Sequence, residues 1–190
     1  MDAPFFITGL PRSRTAWLAN FFTTQTAFCL HDACKDGWTA EHIRSEFDTL
    51  ALHYKQVGDS DSGLLLIADK LVKIYPEARW VFIRNTPERA AKSYREYFTG
   101  VNACPWMPKD ADIETIMGQA AEHYEHALAE VPEKQRIELP VDFLDDPALM
   151  HVLWHWVVPH LRWNTERWRM LNTFRVNIIP QKITVKIPTL

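Results

Sequence analysis

The sequence lacks the features that mark several large classes of protein. Its three cysteines, Cys29, Cys34 and Cys104, form no CxxC pair, which argues against a disulfide framework or a zinc site. No run approaches the ~20 apolar residues that a membrane span needs. The amino terminus also lacks the basic segment that opens a signal peptide. We therefore expect a cytoplasmic protein with reduced thiols.

The chain also has no excess of positive charge. Its formal net charge is -3, which predicts neither a nucleic acid nor a membrane surface as a partner. At 190 residues and 47% hydrophobic content, it is long enough to bury one proper core. We expect one domain over residues 1–190, with residues 175–190 as an extended tail.

Apolar runs of strand type alternate with segments of helical periodicity. The expected strands are Phe5–Thr8, Ala27–Leu30, Leu64–Ala68, Arg79–Ile83 and Arg136–Leu139. Helices are expected from Arg14, after Thr39, from Thr86, over residues 112–131, from Asp146 and from Thr165. The polar stretch Gly58–Gly63 reads as a loop. This alternation predicts a three-layer α/β domain, in which helices flank a central parallel sheet and ligands bind where the strands end.

The opening stretch, FFITGLPRSRTAWLANFF, has the outline of a strand, a tight turn and a helix. Aligned with the P-loop pattern GxxxxGK[ST], Gly9 takes the first glycine and Arg14 replaces the second. Thr15 then replaces the lysine, and Ala16 replaces the hydroxyl residue that holds magnesium. Ala16 has no oxygen for a metal, so we expect no metal here and disfavour a magnesium-dependent kinase or NTPase.

What remains of the P-loop pattern is its capacity to bind an anion. Backbone amides at a helix start attract negative charge. Arg12 and Arg14 add guanidinium groups whose planar geometry suits a tetrahedral oxyanion. The alternative is a structural turn whose two arginines are simply solvated.

Three segments resemble sulfotransferases that use 3′-phosphoadenosine 5′-phosphosulfate. PRSRTAW, from Pro11, is similar to the family's loop for the 5′-phosphosulfate. LLLIADKLVKIYPEARWVFIRNTPERAAKSYREYF, from Leu64, is similar to its central region, and RIELPVDFLDDPALMHVLWHWV, from Arg136, to its late strand and helix. The three occur in the family's order and span most of the chain. The resemblance implies the P-loop-like fold of that family.

The resemblance also assigns roles to the first loop. Arg12 would contact the transferred sulfuryl group, while Ser13 and Thr15 would hold the 5′-phosphate with their backbone amides. Trp17 matches an aromatic residue that stacks on adenine. The donor-binding residues implied in this loop are Pro11, Arg12, Ser13, Arg14, Thr15, Ala16 and Trp17.

Further donor contacts are implied by the central segment. Lys70 matches a lysine that follows the third strand and faces the sulfate from the other side. Arg84 and Ser93 match a pair that grips the 3′-phosphate. Their spacing of nine residues instead of eight leaves Lys92 as an alternative to Ser93.

The acceptor must lose a proton, so the reaction needs a base. Val72 occupies the place of one branch's histidine. Other branches use a carboxylate near the end of the second strand, where this chain has His31 and Asp32. We expect Asp32 to be the base, with His31 as the alternative. Asp32 could instead serve only to cap the following turn.

Together these features predict sulfuryl transfer to a hydroxyl or amine of a small-molecule or glycan acceptor. The tryptophan-rich segment from Trp154 to Trp168 and the strand-like tail leave a homo-oligomer open. Two alternatives to the sulfotransferase remain. One is a catalytically silent nucleotide- or anion-binding module with the same fold, and the other is a kinase-like phosphotransferase.

Overall fold

A computed structural model describes residues 2–34, 39–98 and 111–173 of the chain. Its centre is a five-stranded sheet in the order β2-β3-β1-β4-β5, in which every described pairing is parallel. The strands are β1 (Phe5–Gly9), β2 (Ala27–His31), β3 (Gln56–Ser60), β4 (Arg79–Arg84) and β5 (Arg136–Pro140). Because all five run the same way, their carboxyl ends meet at one edge of the sheet.

Seven α-helices connect and cover the strands within the described ranges. They are α1 (Thr15–Phe22), α2 (Ala40–Leu50), α3 (Ala68–Ile74), α4 (Pro87–Tyr97), α5 (Ile113–Glu130), α6 (Pro147–Val157) and α7 (Thr165–Thr173). The predicted start signals of α2, α4 and α6 are confirmed. The side chains of Thr39, Thr86 and Asp146 each accept a hydrogen bond from a first-turn amide, which satisfies a donor that the helix itself leaves unpaired.

The sheet buries a hydrophobic layer on each face. One layer joins Phe6 and Trp80 of the sheet to Phe47 of α2 and Tyr124 of α5. The other packs strand residues against α1 and α6, with Trp154 at its centre. The predicted three-layer α/β architecture is therefore confirmed. No helix in the described part of the chain is long and apolar enough to cross a membrane.

The third strand is not where the sequence analysis placed it. Leu64–Ala68, expected to be a strand, instead spans parts of a 3-10 turn (Ser62–Leu66) and the start of α3. The true strand is QVGDS, whose five residues are all buried and which overlaps the stretch expected to be a loop. Its polar atoms find partners inside the protein. For example, Gln56 Nε2 donates to the carbonyl oxygens of Ala3 and Val157 at 2.9 Å.

Two other features make this polar strand possible. Gly58 lets the ring of Phe5 pack directly on the backbone, where a β-carbon would come within 2.3 Å of that ring. Leu64 and Leu65 supply the expected apolar burial from the 3-10 turn, not from a strand. The predicted tail 175–190, Cys104 and the remainder of 99–110 lie outside the described residues.

Candidate active site

A cavity of about 610 Å³ lies at the carboxyl edge of the sheet, where β1, β2 and β4 end. It brings together residues that the sequence analysis had selected from three separate segments. The predicted residues that line it are Pro11, Arg12, Arg14, Thr15, Ala16, Trp17, His31, Asp32 and Ser93. The position agrees with the rule that parallel α/β sheets bind ligands beyond their strand ends.

Three residues around this cavity have a left-handed backbone. Arg12, Arg14 and Asp32 have φ values of 69°, 62° and 56°, and they are the non-glycine residues with positive φ in the described part of the chain. All three line the cavity. A β-carbon makes this conformation unfavourable by roughly 1–2 kcal/mol per residue. Such unfavourable backbone conformations cluster at functional sites, where the surrounding structure holds them in place.

The loop between β1 and α1 is held close to the neighbouring strand. A β-carbon on Gly9 would lie 2.6 Å from the carbonyl oxygen of Ile83 on β4, so only glycine fits. The amide of Ser13 closes the turn by donating to the carbonyl oxygen of Leu10 at 3.1 Å. Arg14, at the position of a P-loop glycine, keeps the left-handed conformation that glycine adopts readily. The turn therefore retains its shape despite the substitution.

The arginines of the cavity differ in how far their charge is compensated. Arg14 donates to Asp145 at 2.7 Å, and Arg89 makes a two-point contact with Asp142 at 2.6 and 2.7 Å. Arg12 has no carboxylate partner among the described residues, and its buried Nε has no hydrogen-bond acceptor there. Arg12 is thus the cavity's uncompensated cation.

An aromatic side chain orients the Arg12 guanidinium. Its central carbon lies 4.0 Å from the ring centroid of Tyr97, a cation–π distance. Burial lowers the pKa of Arg12, an effect that Tyr97 and Tyr94 oppose. Because the pKa of an arginine lies far above neutral pH, Arg12 stays charged. The partial desolvation strengthens its attraction for an entering anion.

His31 and Asp32, which both line the cavity, contact each other. Nδ1 of His31 lies 2.7 Å from the carbonyl oxygen of Ser60, which can only accept, so Nδ1 must donate. Nε2 then lies 3.3 Å from Oδ1 of Asp32. Because Nδ1 already carries a proton, a hydrogen bond between Nε2 and this oxygen requires a further proton on one of the two groups. The pair places an imidazole and a carboxyl group side by side in the lining of the cavity.

Ser13 and Trp17 lie deeper in the protein. Ser13 is fully buried, and its hydroxyl is 3.5 Å from the side-chain nitrogen of Asn85. Trp17 lines the cavity, is 5% exposed, and stacks on Phe21 with 5.0 Å between ring centroids. Ser13 can therefore contribute through the backbone of the loop, whereas Trp17 presents part of an aromatic surface.

The structure does not bring Lys70, Arg84 and Lys92 to the cavity lining. Lys70 is exposed on α3, because the third strand ends ten residues earlier at Ser60 and is followed by Asp61 instead of a lysine. Lys92 is exposed and lies 4.0 Å from Glu96.

Arg84 is engaged on the side of the sheet that faces α5. It contacts Glu138 through Nε and Glu125 at 3.0 Å, and these carboxylates raise its pKa. Tyr124 donates to Glu138 at 2.8 Å and completes this network. Any role of Arg84 in holding a ligand would have to disrupt these contacts.

The sequence analysis missed several residues that line the cavity. Arg89 is one turn before Ser93 on α4, and both line the cavity together with Tyr97, a further turn on. Their spacing of four residues was a visible signal, since residues four apart share one face of a helix. The others missed are Ser62, Asn85, Tyr94, Phe98, Val141 and Asn172.

Comparison with known proteins identifies the fold. No family model matches the chain, and no curated protein matches it in sequence. The structure of a sulfotransferase from Alicyclobacillus acidocaldarius matches with a TM-score of 0.56 and 12% identity over 90% of both chains. A sulfotransferase from Mycobacterium avium matches with a TM-score of 0.57 and 10% identity, over 90% of this chain and 67% of that one.

A shikimate kinase from Bacteroides thetaiotaomicron is also similar. It matches with a TM-score of 0.52 and 14% identity, over 84% of this chain and 99% of that one. The class of protein is therefore a P-loop-like α/β fold, and within that class the chain has a sulfotransferase-like fold. At these identities the likeness concerns the fold, and the cavity must supply the argument for function.

Proposed function

We propose that this chain is a transferase that moves a sulfuryl group from 3′-phosphoadenosine 5′-phosphosulfate to a hydroxyl or amine of a small-molecule or glycan acceptor. The observation that carries the proposal is the uncompensated Arg12. It lies on a left-handed loop at the end of β1, in a cavity that also holds the His31–Asp32 pair. A cation and a proton acceptor within one cavity are the groups that this transfer requires.

The chemistry needs positioning and charge stabilisation. The acceptor oxygen or nitrogen attacks sulfur, and the bond between sulfur and the bridging phosphate oxygen breaks. The acceptor proton passes to Asp32, and 3′-phosphoadenosine 5′-phosphate leaves. Negative charge develops on the bridging oxygen, where Arg12 and the first-turn amides of α1 would stabilise it. Those amides have no acceptor within their own helix.

The residues proposed for the 3′-phosphate differ from those first expected. Arg84 is held by Glu138 and Glu125 outside the cavity lining. Arg89 and Ser93 line the cavity from successive turns of α4, and Arg89 is exposed there. Arg89 would exchange its contact with Asp142 for a phosphate, since both partners of that ion pair are exposed to water, which weakens their attraction. We therefore assign the 3′-phosphate to Arg89 and Ser93.

Two other functions compete with this proposal. A kinase-like phosphotransfer is favoured by the likeness to shikimate kinase, which is matched over nearly its whole length. It is disfavoured by Ala16, which offers no magnesium ligand at the start of α1. A silent binding module is favoured by the acidic residues after β3, where the resemblance implies a lysine.

Calorimetry of the purified chain separates these functions. We would titrate it with 3′-phosphoadenosine 5′-phosphate, and with ADP and ATP in the absence and presence of magnesium. The proposal expects binding that needs the 3′-phosphate and no metal. The matched variant pair Arg89→Ala and Arg84→Ala then tests the assignment of that phosphate.

The other outcomes have distinct meanings. Binding of ATP only with magnesium would replace the proposal with the kinase function. Absence of binding by all the nucleotides would overturn the donor site. Tight binding of 3′-phosphoadenosine 5′-phosphate without sulfate transfer to a panel of phenols, alcohols, amines and glycans would favour the silent module.

A further inference from the structure

A second cluster of reactive groups lies beside the cavity, at the carboxyl ends of β2 and β3. The thiol of Cys34 and one carboxylate oxygen each from Asp59 and Asp61 lie within 4.8 Å of one another. Asp59 and Asp61 follow Cys34 by 25 and 27 positions, so no local sequence motif indicates the cluster. The fold of β3 as a buried polar strand brings them together.

Asp59 is the unexplained member of this cluster. It is fully buried, and neither of its carboxylate oxygens has a hydrogen-bond partner among the described residues. Leaving a buried polar group unpaired costs about 1–3 kcal/mol, and more when the group is charged. No lysine or arginine of the described ranges forms an ion pair with Asp59 or Asp61. The described part of the chain therefore supplies no partner for the Asp59 carboxyl group.

Asp61 is already oriented for such a partner. Its Oδ1 accepts from the amide of Gly63, and its Oδ2 accepts from the amide of Cys34, both at 2.8 Å. Each oxygen keeps a second lone pair. Backbone bonds of this kind fix ligating carboxylates in metal sites. Gly63 is needed for this closeness, because a β-carbon there would lie 2.5 Å from the β-carbon of Cys34.

We propose that Cys34, Asp59 and Asp61 are the protein ligands of a divalent transition-metal cation, of which Zn²⁺ fits the donor set best. One thiolate with two carboxylates is a mixed soft and hard set, which suits zinc better than magnesium or calcium. Three protein ligands leave a fourth tetrahedral position for water. Without the cation, burial raises the pKa of all three acids, and repulsion from neighbouring carboxylates adds to this effect.

The distances are compatible with binding after a small contraction. Zinc bonds of ~2.0–2.3 Å place tetrahedral ligand atoms roughly 3.3–3.8 Å apart. The three atoms, now within 4.8 Å of one another, would have to approach by roughly 1–1.5 Å at most. Cys34 is only half-buried, so it offers the route by which the ion and water could enter.

The metal would connect the turn after β2 to the end of β3. It would be separate from the donor site, because neither Asp59 nor Asp61 nor Cys34 lines the cavity. The inference therefore does not depend on the proposed sulfuryl transfer. It is independent of the His151–His155 pair as well, whose ring nitrogens lie 3.0 Å apart on the exposed face of α6. That pair is a second place where added metal could bind and must be controlled.

The test uses cobalt as a spectroscopic probe on the full chain. The protein is stripped with a chelator, kept reduced with a phosphine, and titrated with Co²⁺ in the background His151→Ala/His155→Ala. We expect one equivalent to bind and to give a near-ultraviolet band from thiolate to cobalt, together with the intense visible bands of a tetrahedral site. Zn²⁺ should displace the cobalt and remove the bands.

Three variants make the assignment specific. Cys34→Ser should abolish the thiolate band, whereas Cys104→Ser, a matched control at a thiol elsewhere in the chain, should leave it unchanged. Asp59→Asn keeps the shape of the side chain. It should weaken cobalt binding by more than the roughly 10–100-fold that loss of an outer hydrogen-bond partner costs.

Thermal unfolding gives a second readout that does not depend on the absorption band of the thiolate. Zn²⁺ should raise the Tm of the parent protein, since a ligand that binds only the native state stabilises it increasingly as the free ligand concentration rises above Kd. It should not raise the Tm of Asp59→Asn. The proposal is overturned if the parent shows no thiolate band, or if the band survives Cys34→Ser. It is also overturned if Zn²⁺ has no effect while Asp59→Asn raises the Tm of metal-free protein, because Asp59 would then be a neutral, protonated acid.

Discussion

The ends of β1 and β3 are neighbours in the sheet, yet they carry opposite chemistry. β1 runs into a loop with two left-handed arginines and the uncompensated charge of Arg12. β3 runs into two buried aspartates without a cation to balance them among the described residues. The two ends are joined by hydrogen bonds of 2.9 Å from Thr8 Oγ1 to the carbonyl of Asp61, and from Ser60 Oγ to the carbonyl of Thr15.

This contrast shows how one sheet edge can separate an anion site from a candidate cation site. Asp59 is in register with Phe6 and Leu30, so its side chain points to the same face of the sheet as theirs. Those two residues belong to the hydrophobic layer under α2 and α3. The basic loop instead opens beyond the strand ends into the cavity. The acidic and basic groups thus point to different places, the Asp59 side chain to one face of the sheet and the basic loop into the cavity, although their backbones are linked by hydrogen bonds.

The largest expected effect is on the acidic side. Asp61→Ala would leave the partly buried amides of Cys34 and Gly63 without acceptors, at about 1–2 kcal/mol each. We expect the free energy of unfolding to fall by about 2–4 kcal/mol, measured by urea denaturation in the presence of a chelator. Asp61→Asn keeps one acceptor and should lose about half as much. A loss below ~1 kcal/mol for the alanine variant would show that these bonds do not organise the turn.

The basic end could be predicted from the sequence, whereas the acidic end could not. The loop after β1 has a motif that depends on local spacing, and Arg12, Thr15 and Trp17, which that motif singled out, all line the cavity. β3 has no such local signal. Its composition, QVGDS, resembles a turn, and only burial by the surrounding layers makes it a strand.

The wrong position of the third strand also led to a wrong expectation for part of the site. Placing the third strand at Leu64–Ala68 made Lys70 its flanking lysine, although the residue lies exposed on α3. The partners of Arg84 come from α5 and β5, about 40 and 54 residues away. The ion pairs between Arg84 and these two glutamates depend on tertiary packing, which the periodicity of the sequence does not reveal.

The next prediction concerns the cation at the end of β1. Arg12→Ala should weaken binding of 3′-phosphoadenosine 5′-phosphate by about tenfold to hundredfold, the range for loss of a hydrogen bond to a charged group. Calorimetry measures this change directly. Arg12→Lys keeps the charge but loses the planar fork, so it should recover only part of the affinity. Equal affinities for the parent and Arg12→Ala would remove this loop from the binding site.

A smaller effect separates two arginines near the same strand edge. Arg89→Ala should reduce affinity for the nucleotide by about tenfold, because one charge-assisted bond to the 3′-phosphate is lost. Arg84→Ala should leave that affinity unchanged, since Arg84 does not line the cavity and contacts Glu138 and Glu125 instead. Repeating both titrations with ADP, which lacks the 3′-phosphate, should abolish the difference. The reverse pattern would restore Arg84 as the phosphate ligand.

The smallest expected effect tests whether the basic loop is held in an unfavourable conformation. At φ 62°, Arg14 bears a cost that glycine does not, and its exposed contact with Asp145 recovers at most ~1 kcal/mol. Arg14→Ala retains the backbone cost and loses the contact, whereas Arg14→Gly loses both. We therefore expect the glycine variant to be the more stable of the two by about 1 kcal/mol, measured by urea unfolding. If the alanine variant were equally stable, the loop would not be held in the left-handed conformation in solution, and the resemblance of this turn to a P-loop would lose its structural basis.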